Sequence, residues 1–221
     1  MIRNRKGQFF LIVAILYCVI LLSIATYVIA VISSPPRARI GGAQYAYTNI
    51  KTQCIRVVEI SLANLTNGGP SNVLSLNLKN WKNSTQSFFA KEGFSLSIAY
   101  NKSGTDKSEI YWNKSLSWSK AQVSFTVLLQ SGSSQISDVF TVRSELYVNV
   151  TQVESLNATY RRVYVKVWKE GSAPVVSGTV KVGSIQAYNN GDGTYVAVAP
   201  SSSQYIFVWD SRSIFVKAKK T

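Results

Sequence analysis

Ser117-Trp118-Ser119-Lys120 is the stretch whose residue types most resemble catalytic machinery. A serine three residues before a lysine can pass its proton to the amine, provided one helical turn carries both. The Ser-Asp-Asn and Lys-Thr-Gly elements that accompany such a pair are absent, and the surrounding residues read as loop and strand. The carboxylates are few. Asp106 and Glu109 flank Lys107 in a polar stretch, which reads as a surface ion pair rather than an acid/base couple. Asp192 sits between Gly191 and Gly193, where an aspartate usually bonds to turn amides. One carboxylate does not supply the six to eight oxygens of a calcium site. Gly191-Asp192-Gly193 opens no helix, so it is no phosphate cradle. The chain has no histidine, which removes the commonest general base and transition-metal ligand. No enzyme activity, metal or cofactor is expected.

The remaining candidate sites are for modification and binding. Six Asn-x-Ser/Thr triplets occur, at Asn64, Asn83, Asn101, Asn113, Asn149 and Asn157. Each is a glycan acceptor only on the exterior side of a membrane. The five tryptophans, Trp81, Trp112, Trp118, Trp168 and Trp209, with twelve tyrosines, either stack on glycans or fill the core and rim of a sheet. Cys54 falls on an apolar helical stripe and reads as a core thiol. Cys18 lies in a separate apolar stretch, so no intrachain disulfide is expected.

That stretch, Phe9 to Ile32, runs 24 residues without a charge, proline or glycine. As a helix it extends about 36 Å, enough to cross a hydrocarbon layer of about 30 Å. It is too long for a removed secretory signal and lacks a clean small-x-small cleavage site. Arg3, Arg5 and Lys6 precede it, which favours a cytoplasmic N-terminus. The expected localisation is the cell membrane, single-pass, with the C-terminal region outside. The net charge is +14; all ten acids follow the apolar stretch, leaving +11 beyond it. Such a surface attracts anionic headgroups or acidic glycans. No specific nucleic-acid partner is expected.

Arg5-Lys6-Gly7-Gln8 directly precedes Phe9-Phe10. This resembles the class III signal of type IV prepilins, especially the archaeal form. The resemblance covers roughly the first thirty residues. It implies cleavage between Gly7 and Gln8, an apolar helix left attached, and sister subunits as partners. Two features depart from the pilin pattern. The fifth residue after the cut is Ile12 where bacterial pilins carry Glu, and Pro35-Pro36 should break a helix that pilins generally continue into the head.

The expected fold class is α+β. Residues 1–8 form a cytoplasmic basic segment, 9–32 a transmembrane helix, and 33–42 a spacer with a Gly41-Gly42 hinge. Residues 43–93 read as a helical pair. Tyr47, Ile50, Cys54, Val57, Val58, Leu62 and Leu65 recur at helical spacing, and Asn67-Gly68-Gly69-Pro70 is a stop. Ser71 is placed to cap a second helix bearing Leu74, Leu78, Trp81 and Phe88-Phe89. The period then changes to two, and strands are expected through a β region (94–157) and an Ig-like β region (158–221). Asn190 to Tyr195, with Pro200 and Tyr205-Ile206-Phe207-Val208, resembles the closing hairpin of filamin-like or bacterial Ig-like repeats. That resemblance implies a β-sandwich used as a spacer or binding unit.

The expected function is a membrane-anchored, surface-exposed, non-catalytic structural, adhesion or assembly subunit, pilin-like in its first specific form. The alternative is a glycan- or solute-binding module tethered by an ordinary signal anchor. Expected partners are the lipid bilayer, sister subunits or other surface proteins, and anionic glycans or headgroups.

Overall fold

The computed structural model describes residues 18–26, 37–100 and 111–220. The chain divides into two compact units, Met1–Gly42 and Ala43–Thr221. In the first, residues 18–26 are helical. Among the described residues no helix is long and apolar enough to cross a membrane. Most of the expected span lies outside those residues, as do Gly7, Gln8, Pro35-Pro36, Asn101, Asp106 and Glu109. The span therefore rests on the sequence.

The fold is α+β. Among the described residues, helix α1 (Arg37–Thr66) is followed by α2 (Val73–Lys91) and eleven strands. Strand order in the larger sheet is β1 (Ser95–Tyr100), β3 (Trp118–Ser131), β4 (Ser134–Ser155), β5 (Tyr160–Lys169), β9 (Thr194–Pro200) and β8 (Tyr188–Asn189), with β2 (Tyr111–Ser115) also on β3. The smaller sheet runs β11 (Phe215–Lys219), β10 (Tyr205–Trp209), β6 (Thr179–Val182) and β7 (Ile185–Gln186). All ladders are antiparallel.

Helix α1 begins at Arg37, not Ala43, and includes Gly41-Gly42. The expected spacer and hinge thus give way to helix from Arg37 onward. Gly costs a helix interior only about 1 kcal/mol relative to Ala, which does not by itself end a thirty-residue helix. Ala46, Ile50, Cys54, Val58 and Leu62 are buried along one stripe, as their spacing requires. Asn67 stops the helix with two amide bonds, to the Ala63 carbonyl at 2.7 Å and to the Ser213 carbonyl at 2.8 Å. The second bond ties the helix end to the turn between β10 and β11.

Ser71 is not the cap of α2. The cap position is Asn72, without a side-chain bond, and the Val73 amide reaches the Pro70 carbonyl at 3.1 Å. The serine- and threonine-rich middle of α2 stays helical. Thr85 is buried there and its hydroxyl donates to Gln53 of α1 at 3.4 Å; Trp81 Nε1 donates to the same oxygen at 3.0 Å. Tertiary bonds override the weak propensity.

Strict alternation fixes the two faces of the larger sheet. Val123, Phe125 and Val127 of β3, Leu146 and Val148 of β4, and Val163, Val165 and Val167 of β5 point inward. They share one core with α1, α2 and the inner residues Val180, Ile206, Val208 and Val216 of the smaller sheet. Strand pairing runs across the expected boundary at 157/158. Strand β4 pairs with β5 from Leu146↔Lys169 to Ser155↔Arg161, so one sheet crosses it. The 158–221 segment enters both sheets: β5, β8 and β9 extend the sheet begun by β1 to β4, and β6, β7, β10 and β11 make up the smaller one.

Candidate functional surfaces

Ser117 and Lys120 do not share a helical turn. Ser117 occupies the turn before β3 at φ 76°, and Lys120 lies on the strand with its ammonium 2.8 Å from Glu145. That geometry offers no serine–lysine relay. Asp192 behaves as its turn requires: Oδ1 accepts the Thr194 amide at 2.9 Å and the Thr194 hydroxyl. These bonds hold its carboxyl below the usual carboxylate range. Cys54 is fully buried, and burial pushes its thiol up to about 12. Cys18 and Cys54 are both unpaired thiols. Among the described residues no group of three or more His, Cys, Asp or Glu side chains is placed to hold a metal.

Two charged clusters escape sequence reasoning. Arg212 sits at the β10–β11 turn and gathers Asp210 (Nε–Oδ2 2.7 Å), Glu59 of α1 (3.4 Å), Glu170, and the Glu145 carbonyl (3.1 Å). Burial alone would lower its pKa; Asp210 and Glu170 outweigh that and raise it. The cluster pins a helix, a strand and a turn from distant parts of the chain. In the second, the Tyr47 hydroxyl donates to Asp138, whose carboxylate lies 3.6 Å from Lys51. The Tyr47 bond, with Lys51, lowers the Asp138 pKa. Asp210 neighbours Arg212 and Lys51 neighbours Tyr47 in sequence, but Glu59, Glu145, Glu170 and Asp138 join from tens of residues away, which no local motif signals.

The acceptor asparagines divide by setting. Asn64 and Asn83 are exposed on helices, but their triplets end in Thr66 and Thr85, both buried. The Thr66 hydroxyl donates to the Ala63 carbonyl and accepts the Phe215 amide. Asn113 lies on β2. Asn149 is exposed on the outer face of β4. Asn157 lies in the exposed β4–β5 turn, where its oxygen accepts the amides of Thr159 (2.9 Å) and Tyr160 (2.7 Å).

The tryptophans also separate. Trp81 meets Phe125 edge-on at 5.9 Å and belongs to the interior. Trp112 lies on β2. Trp118, Tyr147 and Trp168 occupy directly paired positions on β3, β4 and β5. Alternation puts all three on the outer face, half-buried. The Tyr147 and Trp168 rings are parallel within 8° at 5.6 Å. Beside Trp168 a shallow concavity of about 360 Å³ is lined by Asn149, Lys166, Trp168 and Ser172. On the smaller sheet, Trp209 packs with Phe207 and Phe215, and Lys217 lies 3.7 Å above the Tyr205 ring.

In the first unit the helical residues 18–26 are exposed throughout; Leu22 is 65% exposed and Leu21 61%. Val19, Ile20 and Ile24 are open as well.

No protein-family model, curated protein or solved structure matches this chain.

Proposed function

We propose that the chain is a membrane-anchored, surface-displayed, non-catalytic structural or assembly subunit. One observation carries the reading: residues 18–26 form helix whose leucine, isoleucine and valine side chains are all exposed. A helix apolar all round needs an apolar surrounding, either lipid or sister helices. The charge-free run from Phe9 to Ile32 extends that surface to the length of a span. Arg3, Arg5 and Lys6 orient it with the Ala43–Thr221 unit outside.

The pilin-like form of this reading draws support from α1. Pilins generally build the head on a helix continuing from the anchor, and here the head's core is laid along a helix that begins one residue after Pro35-Pro36. Mass spectrometry of the membrane-extracted protein tests it. A mature chain starting at Gln8 is the expected result, and an N-terminus that retains Arg3, Arg5 and Lys6 rules out prepilin-type processing. Shearing cells and pelleting filaments then separates a polymer from single anchors.

A second reading, a tethered saccharide-binding module, is favoured by the aromatic run Trp118–Tyr147–Trp168 and the concavity at its end.

A further inference from the structure

We infer that the concavity at Trp168 is a saccharide subsite. Its lining combines four chemistries in one place: an indole, the Asn149 amide, the Lys166 ammonium and the Ser172 hydroxyl. Asn149 and Lys166 are directly paired across β4 and β5, so sheet register holds amide and ammonium side by side on one face. Trp168 follows two residues later on the same face, and its parallel contact with Tyr147 fixes the ring's orientation. An immobilised aromatic wall with few, fixed polar groups is the usual construction of a small-ligand site, and about 360 Å³ lies in the ordinary range for one.

The backbone at the rim is strained in the same place. Gly171 and Ser172 are consecutive residues in the left-handed region, at φ 68° and φ 61°. That conformation is uncommon for serine. It sets Ser172 in the lining of the concavity, in the manner of strain retained at binding sites.

The chemistry selects the ligand class. The aromatic wall accepts the apolar C–H face of a pyranose, while amide, hydroxyl and ammonium bond to its hydroxyls. No carboxylate lines the site, which disfavours a cation, and Lys166 favours neutral or acidic sugars over amino sugars. The saccharide has two possible sources of identical chemistry. Asn149-Val150-Thr151 is itself an acceptor triplet, so a glycan attached there starts at the concavity. Alternatively, the sugar belongs to another surface polymer.

Two arms distinguish these sources. In the first, the full chain, made in a host without N-glycosylation and held in detergent micelles, is applied to an array of neutral and uronic-acid saccharides. In the second, the chain is isolated from its native membranes, and the Asn149 peptide is mapped for attached sugar. Its thermal midpoint is then compared before and after enzymatic deglycosylation. The subsite predicts either array binding that falls about tenfold or more in Trp168→Ala, or a glycan on Asn149 whose stabilising effect disappears in Trp168→Ala. Lys166→Ala should weaken the array signal in a chain whose unfolding is unchanged, and Phe207→Ala, on the other sheet, should leave it intact. The assignment is overturned if the array shows nothing above a charge-matched control while Asn149 is bare or its glycan leaves the thermal midpoint unchanged. It is equally overturned if either effect survives Trp168→Ala. The array arm is blind to topology, so it stands or falls separately from membrane anchoring.

Discussion

The carboxylate of Asp210 and the guanidinium of Arg212 meet at 2.7 Å with the Asp210 side chain only 2% exposed. Asp210 also accepts the amides of Arg212 and Ile214, both at 3.0 Å, so the aspartate organises the β10–β11 turn while the arginine reaches outward. From there Arg212 joins Glu59 on α1 and Glu170 on the 3-10 turn Glu170–Ser172. A charge this deep is tolerable only while paired.

Arg212→Ala should therefore destabilise the Ala43–Thr221 unit by roughly 3 kcal/mol, because it strands Asp210 without its partner. The double variant Arg212→Met, Asp210→Asn should recover part of that loss. Urea unfolding followed by tryptophan fluorescence measures both. A single variant within about 0.5 kcal/mol of the parent contradicts a structural role for the cluster.

Cys54 gives a pH dependence with a definite sign. Its thiol is pushed up to about 12 by burial, whereas an unfolded thiol ionises near about 8.5. The folded state holds the proton longer, so the contribution is complete below about pH 8.5 and is lost as pH rises toward 12. Stability should decline above about pH 8.5, and Cys54→Ala, though less stable overall, should show a shallower decline. Denaturant titrations from pH 7 to 10.5 check this, with parallel slopes as the contrary result.

Gly193 and Gly191 are the two positive-φ glycines of one turn, at φ 86° and φ 88°. A Cβ on Gly193 would lie 2.9 Å from the Val167 carbonyl oxygen and 2.7 Å from Pro174 Cβ, while one on Gly191 meets open space. Gly191→Ala should cost about 1 kcal/mol from backbone strain alone. Gly193→Ala should cost clearly more, since the Val167 amide bonds the Gly193 carbonyl at 2.8 Å and cannot easily give way. Thermal unfolding of the pair ranks them directly.

Gln53 is one of the polar links between the two helices, beside the Asn77 amide donating to the Ser61 hydroxyl at 2.9 Å. Gln53→Ala removes the acceptor of the half-buried Trp81 N–H and of the Thr85 hydroxyl. A loss of about 1–2 kcal/mol is expected. The complementary Trp81→Phe in the Gln53→Ala background should add less than it does alone, and a double-mutant cycle reads the coupling.

Much of the fold was legible because the periods are clean. The stripe Ile50–Cys54–Val58–Leu62 has helical spacing and is buried, and Val163–Val165–Val167 alternates and faces the core. Asp192 was legible as a turn residue because its bonds reach only two residues along the chain. Ser71 was misread as a cap because the chain enters α2 through a Pro70 carbonyl bond that composition does not signal. Strand pairing across 157/158 was illegible for a related reason: shorter strands read as a new module, whereas β5 folds back onto β4 in the same sheet.

The sequence by itself determined the class α+β, the apolar run Phe9 to Ile32, the buried stripe of α1 and the inward face of Val163, Val165 and Val167. These follow from local spacing, since periods of 3.6 and 2 are fixed by backbone geometry. Only the tertiary structure decided which strands are neighbours, and so which outward residues meet. Trp118, Tyr147 and Trp168 become one aromatic run, Asn149 comes to face Lys166, and Arg212 finds Glu59 across 153 residues. Register and long-range ion pairing are properties of chain closure around a common core, and no short window of sequence contains them.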